Sequence, residues 1–122
     1  MATNAINWFE IPVSNLERAT KFYSTILGAK LELVEAMGLR MAFFPAEEGG
    51  VGGGLVQGNG YVPAAQGINV YLNGGDDLNV VLRKVEAAGG KVTLPKTNIG
   101  ENGFMAFFTD TEGNKVGLHS MH

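Results

Sequence analysis

Apolar residues along the first half of the chain follow a strand period and then a helix period. Ile6–Val13 is rich in β-branched and aromatic residues and predicts a strand that ends near Pro12. Ser14, followed by Glu17, predicts a capping box at the start of a helix, and Gly28 predicts the end of that helix. The apolar positions with helical spacing are Leu16, Ala19, Phe22, Tyr23, Ile26 and Leu27. Three short strands are predicted near Lys30–Glu35, Leu39–Phe44 and Val51–Gln57.

The second half of the chain repeats this order of elements. A strand is predicted near Ile68–Asn73, and a helix follows with an apolar face that ends at Gly89–Gly90. The residues of that face are Leu78, Val81, Leu82 and Val85. The remaining strands are predicted near Lys91–Leu94, Phe104–Thr109 and Lys115–His119.

The letters themselves repeat as well. MAFF occurs at Met41–Phe44 and again at Met105–Phe108, and INWF at Ile6–Phe9 is matched by INVY at Ile68–Tyr71. We therefore predict an α+β fold of two tandem βαβββ modules, at about 5–57 and 67–120, in a single domain spanning 1–122. The two modules should form one curved mixed sheet around a cavity, with the helices outside and Gly58–Gln66 as linker. The phenylalanines of both MAFF copies are expected in the core.

Composition limits the classes of function. The net charge of −3 and the absence of a basic cluster argue against nucleic-acid binding. With no cysteine, the chain has neither disulfides nor a thiolate nucleophile. No apolar run reaches the roughly 20 residues that span a bilayer, and the first residues do not resemble a signal peptide. We therefore expect a cytoplasmic domain that contacts no membrane.

Two segments resemble a known family. VSNLERATKFYSTILG at 13–28 and DTEGNKVGL at 110–118, within the duplicated module, resemble the vicinal oxygen chelate superfamily. Its members include glyoxalase I, extradiol dioxygenases, methylmalonyl-CoA epimerase, and bleomycin and fosfomycin resistance proteins. The resemblance implies a divalent metal in the sheet cavity, held by His, Glu or Gln side chains of the first and last strands of each module.

The ligand positions that the resemblance implies hold no coordinating side chain. Trp8 lies eight residues before Leu16, and Val70 lies eight residues before Leu78. Gly54 and Gly117 precede the leucines of the two closing strands. The expectation is therefore no metal and no other cofactor, and metal-dependent glyoxalase chemistry is disfavoured.

Candidate ligand-binding residues follow from the alternation of side chains along strands. Trp8 and Glu10 should share the cavity face, as should Gly117 and His119. Glu10 is either a polar hook or general base, with His119 as its partner, or a structural carboxylate held by neighbouring donors. The full candidate set is Trp8, Glu10, Arg40, Gly54, Gln57, Tyr61, Val70, Gly117 and His119.

Three functions remain open at this point. The first is a metal-free protein that binds a small molecule in the sheet cavity, as the drug-sequestering members of the family do. The second is a lyase, isomerase or dioxygenase-type enzyme that uses Glu10 as base or displaced metal ligands. The third is an interaction protein whose dimer matters more than its cavity. A homodimer is expected because many family members pair and because open sheets leave edges that need cover.

Overall fold

The structure, a computed structural model, describes residues 4–122, so the first three residues of the predicted domain lie outside it. The first module contains β1 (Trp8–Pro12), α1 (Leu16–Leu27), β2 (Glu32–Ala36), β3 (Leu39–Phe43) and β4 (Gly52–Gln57). The second contains β5 (Tyr71–Asn73), α2 (Asn79–Val85), β6 (Lys91–Asn98), β7 (Phe104–Thr109) and β8 (Lys115–Ser120). A 3₁₀ turn at Gly100–Asn102 joins β6 to β7. The predicted α+β class and the duplicated βαβββ order are confirmed.

The strands form two four-stranded mixed sheets with the same topology. The orders are β1-β4-β3-β2 and β5-β8-β7-β6, with the first strand of each module parallel to the last. Within residues 4–122 the two sheets are not joined by strand pairing, so the expected single curved sheet is present as two separate sheets. Strands β1 and β2 are the edges of the first sheet, and β5 and β6 are the edges of the second.

Both sheets bury one face in a shared core. The ring of Tyr23 on α1 packs edge-on against Phe44 of the first module, with the ring centroids 5.5 Å apart. The neighbouring Phe22 lies 5.8 Å from Phe108 of the second module. Because α1 contacts aromatic residues of both modules, each module covers apolar surface that the other would leave exposed.

The start of α1 differs from the sequence prediction by one residue. Asn15 caps the helix, and its side chain accepts a hydrogen bond from the Arg18 N–H. The predicted capping box of Ser14 and Glu17 is therefore wrong. The predicted end is confirmed, because Gly28 adopts a left-handed conformation with φ 62° and donates its N–H to the Ser24 carbonyl.

Strand β6 extends beyond the predicted Lys91–Leu94. It continues through Pro95 to Asn98, with irregular pairing to β7 between Val92 and Thr97. Proline is tolerated there because β6 is an edge strand and Pro95 lies at an irregularity, where no ladder hydrogen bond is required.

Candidate functional site

Trp8 and Glu10 lie on the outer face of the first sheet, away from the core. The exposed fraction of Trp8 is 42%, whereas Ile11 is buried and Phe9 packs against the core. The indole Nε1 of Trp8 donates to Glu10 Oε2 at 3.3 Å, and the Tyr61 hydroxyl donates to Glu10 Oε1 at 3.2 Å. Glu10 therefore accepts hydrogen bonds from a neighbour on its own strand and from the linker between modules.

The glycines of β4 make room for aromatic rings. A Cβ on Gly52 would lie 3.3 Å from the Trp8 ring, and a Cβ on Gly54 would lie 3.0 Å from the ring of Phe43. The rings of Trp8 and Phe43 meet edge to face, with their centroids 5.0 Å apart. The space above Gly54 is thus partly filled by Phe43. This also corrects the assignment of Phe43 to the core.

An open depression of about 560 Å³ lies beside these rings. Its apolar lining includes the rings of Trp8 and Phe43, and the charged residues of its wall are Glu32, Glu47 and Lys30. With Glu10 hydrogen-bonded to Trp8, three carboxylates and one ammonium border the aromatic surface. We call the surface formed by Trp8, Phe43 and Glu10 the Trp8 face.

The second sheet carries a corresponding aromatic surface on its outer face. Tyr71 and Phe107 lie with ring centroids 5.5 Å apart. A Cβ on Gly117 would lie 2.5 Å from Tyr71, so the tyrosine ring occupies the space that this glycine leaves. The ammonium of Lys115 lies over Phe107, 4.2 Å from the ring centroid. Phe107, like Phe43, lies on the outer face and not in the core.

Val70 does not lie on this outer face. It packs against the core, and its carbonyl accepts the Gly117 N–H. The residue paired with Gly117 is Tyr71, as Glu10 is paired with Gly54 in the first module. The position inferred from the eight-residue offset is therefore wrong by one residue, and Tyr71 was missed.

Arg40 and Gln57 are also placed away from Trp8. Arg40 pairs with Glu17 of α1, and the Gln57 side-chain oxygen accepts the Leu16 N–H at 2.7 Å. The hydrogen bond that Glu17 accepts raises the pKa of Arg40. Both side chains support the first turn of α1, so their assignment as cavity residues is a misplacement.

His119 is on the outer face of the second sheet, near Tyr71 but not near Glu10. Its Nε2 lies 2.6 Å from the Asn102 carbonyl oxygen. His119, Tyr71 and Asn73 border a second open depression of about 560 Å³. The hydrogen bonds of Glu10 go to Trp8 and Tyr61, so the proposed Glu10–His119 partnership is not formed.

The turn between β7 and β8 holds the modules together through three polar residues that the candidate set did not include. Asp110 is buried and accepts the Tyr23 hydroxyl at 2.7 Å. Asn114 donates to the Pro12 carbonyl and accepts the Ala64 N–H. Glu112 accepts hydrogen bonds from the backbone and side chains at the start of α1. The signal was present in the DTEGN letters, which carry the family resemblance.

A family model with the description Glyoxalase/Bleomycin resistance protein/Dioxygenase superfamily matches residues 5–118. The chain belongs to this superfamily. The CFP32 proteins of Mycobacterium bovis and Mycobacterium tuberculosis are 30% identical over 118 residues, 92% of this chain. The chain spans only 44% of their length. A glyoxylase-like domain-containing protein of Didymella fabae is 32% identical, over 89% of this chain and 88% of the relative.

Solved structures of the superfamily share the fold. A glyoxalase/bleomycin resistance protein from Albidiferax ferrireducens has a TM-score of 0.70 at 18% identity, covering 94% of this chain and 97% of that one. A glyoxalase I variant from Zea mays also gives 0.70, at 25% identity, over 93% of this chain and 45% of that one. The α+β arrangement of two modules is thus the fold of the superfamily.

The residues present do not fit the metal centre that the superfamily implies. Gly54 and Gly117 have no ligand atoms, and the rings of Phe43 and Tyr71 fill the space where ligand side chains would project. Trp8 offers only an N–H donor, which is bonded to Glu10. Within the described part of the chain, no three His, Asp or Glu side chains converge as a ligand set.

None of the helices in residues 4–122 is long and apolar enough to cross a bilayer.

Proposed function

We propose that the protein binds a small molecule with a flat apolar surface at the Trp8 face, without the help of a metal. The observation that carries this proposal is the exposed indole of Trp8, held between the edge of Phe43 and the carboxylate of Glu10. A large aromatic side chain that is 42% exposed on a sheet surface offers area that a planar guest can cover.

The dimensions of the site support a ligand of modest size. The depression of about 560 Å³ falls in the range of roughly 300–1,000 Å³ that small-molecule sites occupy. Aromatic surface with a few polar groups at its border is the usual composition of such sites. Tyr61 lies on the linker and reaches Glu10, which brings a segment with fewer backbone restraints to the border of the site.

Independence from metal is part of the proposal. Support comes from the aromatic rings over Gly54 and Gly117, which leave no room for the expected ligands without rearrangement. The relatives named for glyoxalase chemistry do not transfer that activity to this chain, because function follows the site and not the fold.

A fluorescence titration tests the proposal directly. Trp8 is the only tryptophan, so its emission reports events at this face alone. Quinoline, a flat aromatic probe, should change the emission in a saturable manner. Calorimetry with Trp8→Leu should show at least about a tenfold loss of affinity, the equivalent of about 1.4 kcal/mol. The proposal would be refuted if the calorimetric affinity were unchanged in Trp8→Leu. It would also be refuted if the wild type did not bind quinoline at millimolar concentration.

Tyr71→Leu provides the matched control. Tyr71 is likewise an exposed aromatic residue on the outer face of a sheet, with an exposed fraction of 48%. Its removal should leave the affinity for quinoline within about threefold, or about 0.7 kcal/mol, because Tyr71 lies on the other sheet and not at the Trp8 face. An equal loss in both variants would indicate nonspecific association with exposed rings.

We further propose that the protein is a homodimer. The edge strands β1 and β2 of the first sheet and β5 and β6 of the second carry unpaired backbone groups that a second copy would cover. Light scattering at micromolar concentration should give about twice the chain mass of 12.9 kDa. A mass near 12.9 kDa would exclude the dimer.

A cytoplasmic location completes the proposal. The chain contains no cysteine, so it needs no disulfide, and this is compatible with a reducing compartment. Fractionation of cells that express the native protein should recover it with the soluble cytoplasmic fraction, and recovery with secreted or envelope fractions would contradict this assignment.

A further inference from the structure

The duplicated module allows the two outer faces to be compared position by position. Gly54 pairs with Phe43 on β3, and Gly117 pairs with Phe107 on β7, so these positions correspond. Two residues earlier on the closing strands, Gly52 in the first module corresponds to Lys115 in the second. The second module therefore has a lysine where the first has no side chain.

The lysine of the second module supplies a cation to its own aromatic surface. Lys115 Nζ lies 4.2 Å from the centroid of Phe107, within the distance at which a ring quadrupole attracts a positive charge. Among residues 4–122, the ammonium groups that lie over rings contact Phe104 and Phe107, and none contacts Trp8 or Phe43. Thus no lysine of the described residues lies over the rings of Trp8 and Phe43.

The charges around the Trp8 face favour a cation from outside. Glu10 occupies the position that corresponds to Tyr71, because each pairs with the glycine of its closing strand. Glu32 and Glu47 lie in the wall of the depression, opposed there by Lys30 alone. A positively charged guest would be attracted both by the indole face and by carboxylates in excess of the local lysine.

We propose that the Trp8 face selects planar ligands that carry a positive charge, and that the ligand's cation takes the place that Lys115 fills in the second module. This inference rests on the proposed small-molecule function and names the class of ligand. The positive group lies near Phe43, the counterpart of Phe107, and near Glu10, which pairs with the same glycine, and the flat part of the ligand covers Trp8.

The first test compares two probes of the same shape. N-methylquinolinium chloride and quinoline, the latter at a pH where it is uncharged, should both bind the wild type. The cation should bind at least about tenfold more tightly, because a cation–π contact and a nearby carboxylate act together. Its affinity should fall with added salt, as expected for an exposed electrostatic contact. Equal affinities would overturn the charge preference and leave the proposed function intact. Binding of neither probe would overturn both.

The second test gives the first module the lysine of the second. Gly52→Lys should lower the affinity for N-methylquinolinium to that for quinoline, whereas Gly52→Met, which adds a side chain of similar length without charge, should retain the ratio of the two affinities. The nearest atoms to a Cβ at this position are those of the Trp8 ring, at 3.3 Å, and Ala46 Cβ, at 3.8 Å, and both variants add this same Cβ. The same ratio in Gly52→Lys as in the wild type would refute the inference.

Two further variants keep the test decisive if Gly52→Lys fails to fold. Glu10→Gln keeps the volume and removes the charge, so the preference for the cation should fall by about threefold or more. Lys30→Met removes the opposing ammonium and should raise the preference, whereas Lys21→Met, the same change on the exposed face of α1, should not alter it. A preference that does not respond to Glu10→Gln and Lys30→Met would show that the local charges do not select the ligand.

Discussion

Arg18 on α1 donates two hydrogen bonds to Glu112, 94 residues later in the chain, at 2.7 and 3.0 Å. The same carboxylate accepts the N–H groups of Ser14 and Asn15, which precede the first turn of α1. A helix N-terminus attracts a negative charge, so Glu112 stabilises α1 as well as joining the modules. The turn of the second module thus completes the helix start of the first.

Acid unfolding should depend on Glu112. Burial alone would raise the pKa of Glu112, but hydrogen bonds from Arg18, Asn15, Thr111 and Ser14 lower it to about 2 from 4.5. A lowered pKa stabilises the fold above the unfolded value, and this stabilisation is lost as the pH falls from about 4.5 to about 2. Glu112→Gln should therefore reduce the free energy of unfolding at neutral pH by roughly 1–3 kcal/mol, allowing for solvent around the half-exposed Arg18.

Urea unfolding at a series of pH values measures this effect. The difference between the wild type and Glu112→Gln should shrink as the pH falls through that window, because the wild-type carboxyl becomes protonated. Glu17→Gln is the control, since Glu17 pairs with Arg40 on the surface and has no backbone partners on another module. A constant difference from neutral pH to the acid limit would contradict the assigned role of Glu112.

The buried hydroxyl of Tyr23 leads to a prediction at alkaline pH. Burial, together with the charge of Asp110 and the hydrogen bond to it, raises the pKa of Tyr23 well above 10.0. This stabilisation is present below the unfolded pKa and is lost as the pH rises above it. Tyr23 should therefore remain protonated until the protein unfolds.

Tyr23→Phe tests the same contact by mutation. The ring remains and the donor to Asp110 is removed, so the free energy of unfolding should fall by about 1–2 kcal/mol at neutral pH. Phenolate absorbance during an alkaline titration gives the number of titrating tyrosines in each protein. Ionisation of all three in the folded wild type would show that Tyr23 is not sealed in the core.

Much of the fold was predictable because it rests on local signals. The periodicity of Leu16, Phe22 and Ile26, and the glycine at the end of α1, are readable without knowledge of contacts. The cap was not, because Ser14 and Asn15 are both good N-cap residues. The choice between them involves Glu112, which accepts both backbone N–H groups from the far end of the chain.

The site was less predictable because its register depends on a loop. Leu16 follows Ile11 by five positions, whereas Leu78 follows the corresponding Leu72 by six. An offset of eight counted back from the helix therefore gives Val70 as the counterpart of Trp8, whereas the strand register gives Asn69, two residues before Tyr71. Arg40 was chosen for its charge, although alternation with the buried Ala42 already places it on the helix side of the sheet.

Metal binding should be absent under conditions in which metal-dependent relatives would be loaded. This prediction rests on the aromatic and glycine residues at the implied ligand positions, including Trp8, Gly54 and Gly117. Elemental analysis of protein purified without a histidine tag should show zinc, nickel, manganese and iron far below one equivalent. Added zinc should not raise the melting temperature, since a ligand that binds only the folded state would do so. One equivalent that survives dialysis would contradict the prediction.

Tyr61 should control access to Glu10 from the linker. Its hydroxyl donates to Glu10 Oε1 at 3.2 Å, and this acceptor raises the pKa of Tyr61 above 10.0. Tyr61→Phe keeps the ring and removes the donor, which leaves one oxygen of Glu10 free for a ligand. We expect faster amide hydrogen exchange in the linker 58–66. We also expect about a two- to fivefold higher affinity for N-methylquinolinium, because one weak competing hydrogen bond is lost.

Hydrogen exchange and ligand affinity together distinguish two roles of Tyr61: anchoring the linker, or competing with the ligand for Glu10. If Tyr61 only anchors the linker, exchange will accelerate in Tyr61→Phe while the affinity for the cation stays unchanged or falls. If the hydroxyl competes with the ligand for Glu10, exchange and affinity will rise together, and the gain in affinity will vanish in the double variant with Glu10→Gln. Non-additivity of the two substitutions is the expected sign that both act on the same carboxylate, since independent sites give additive effects.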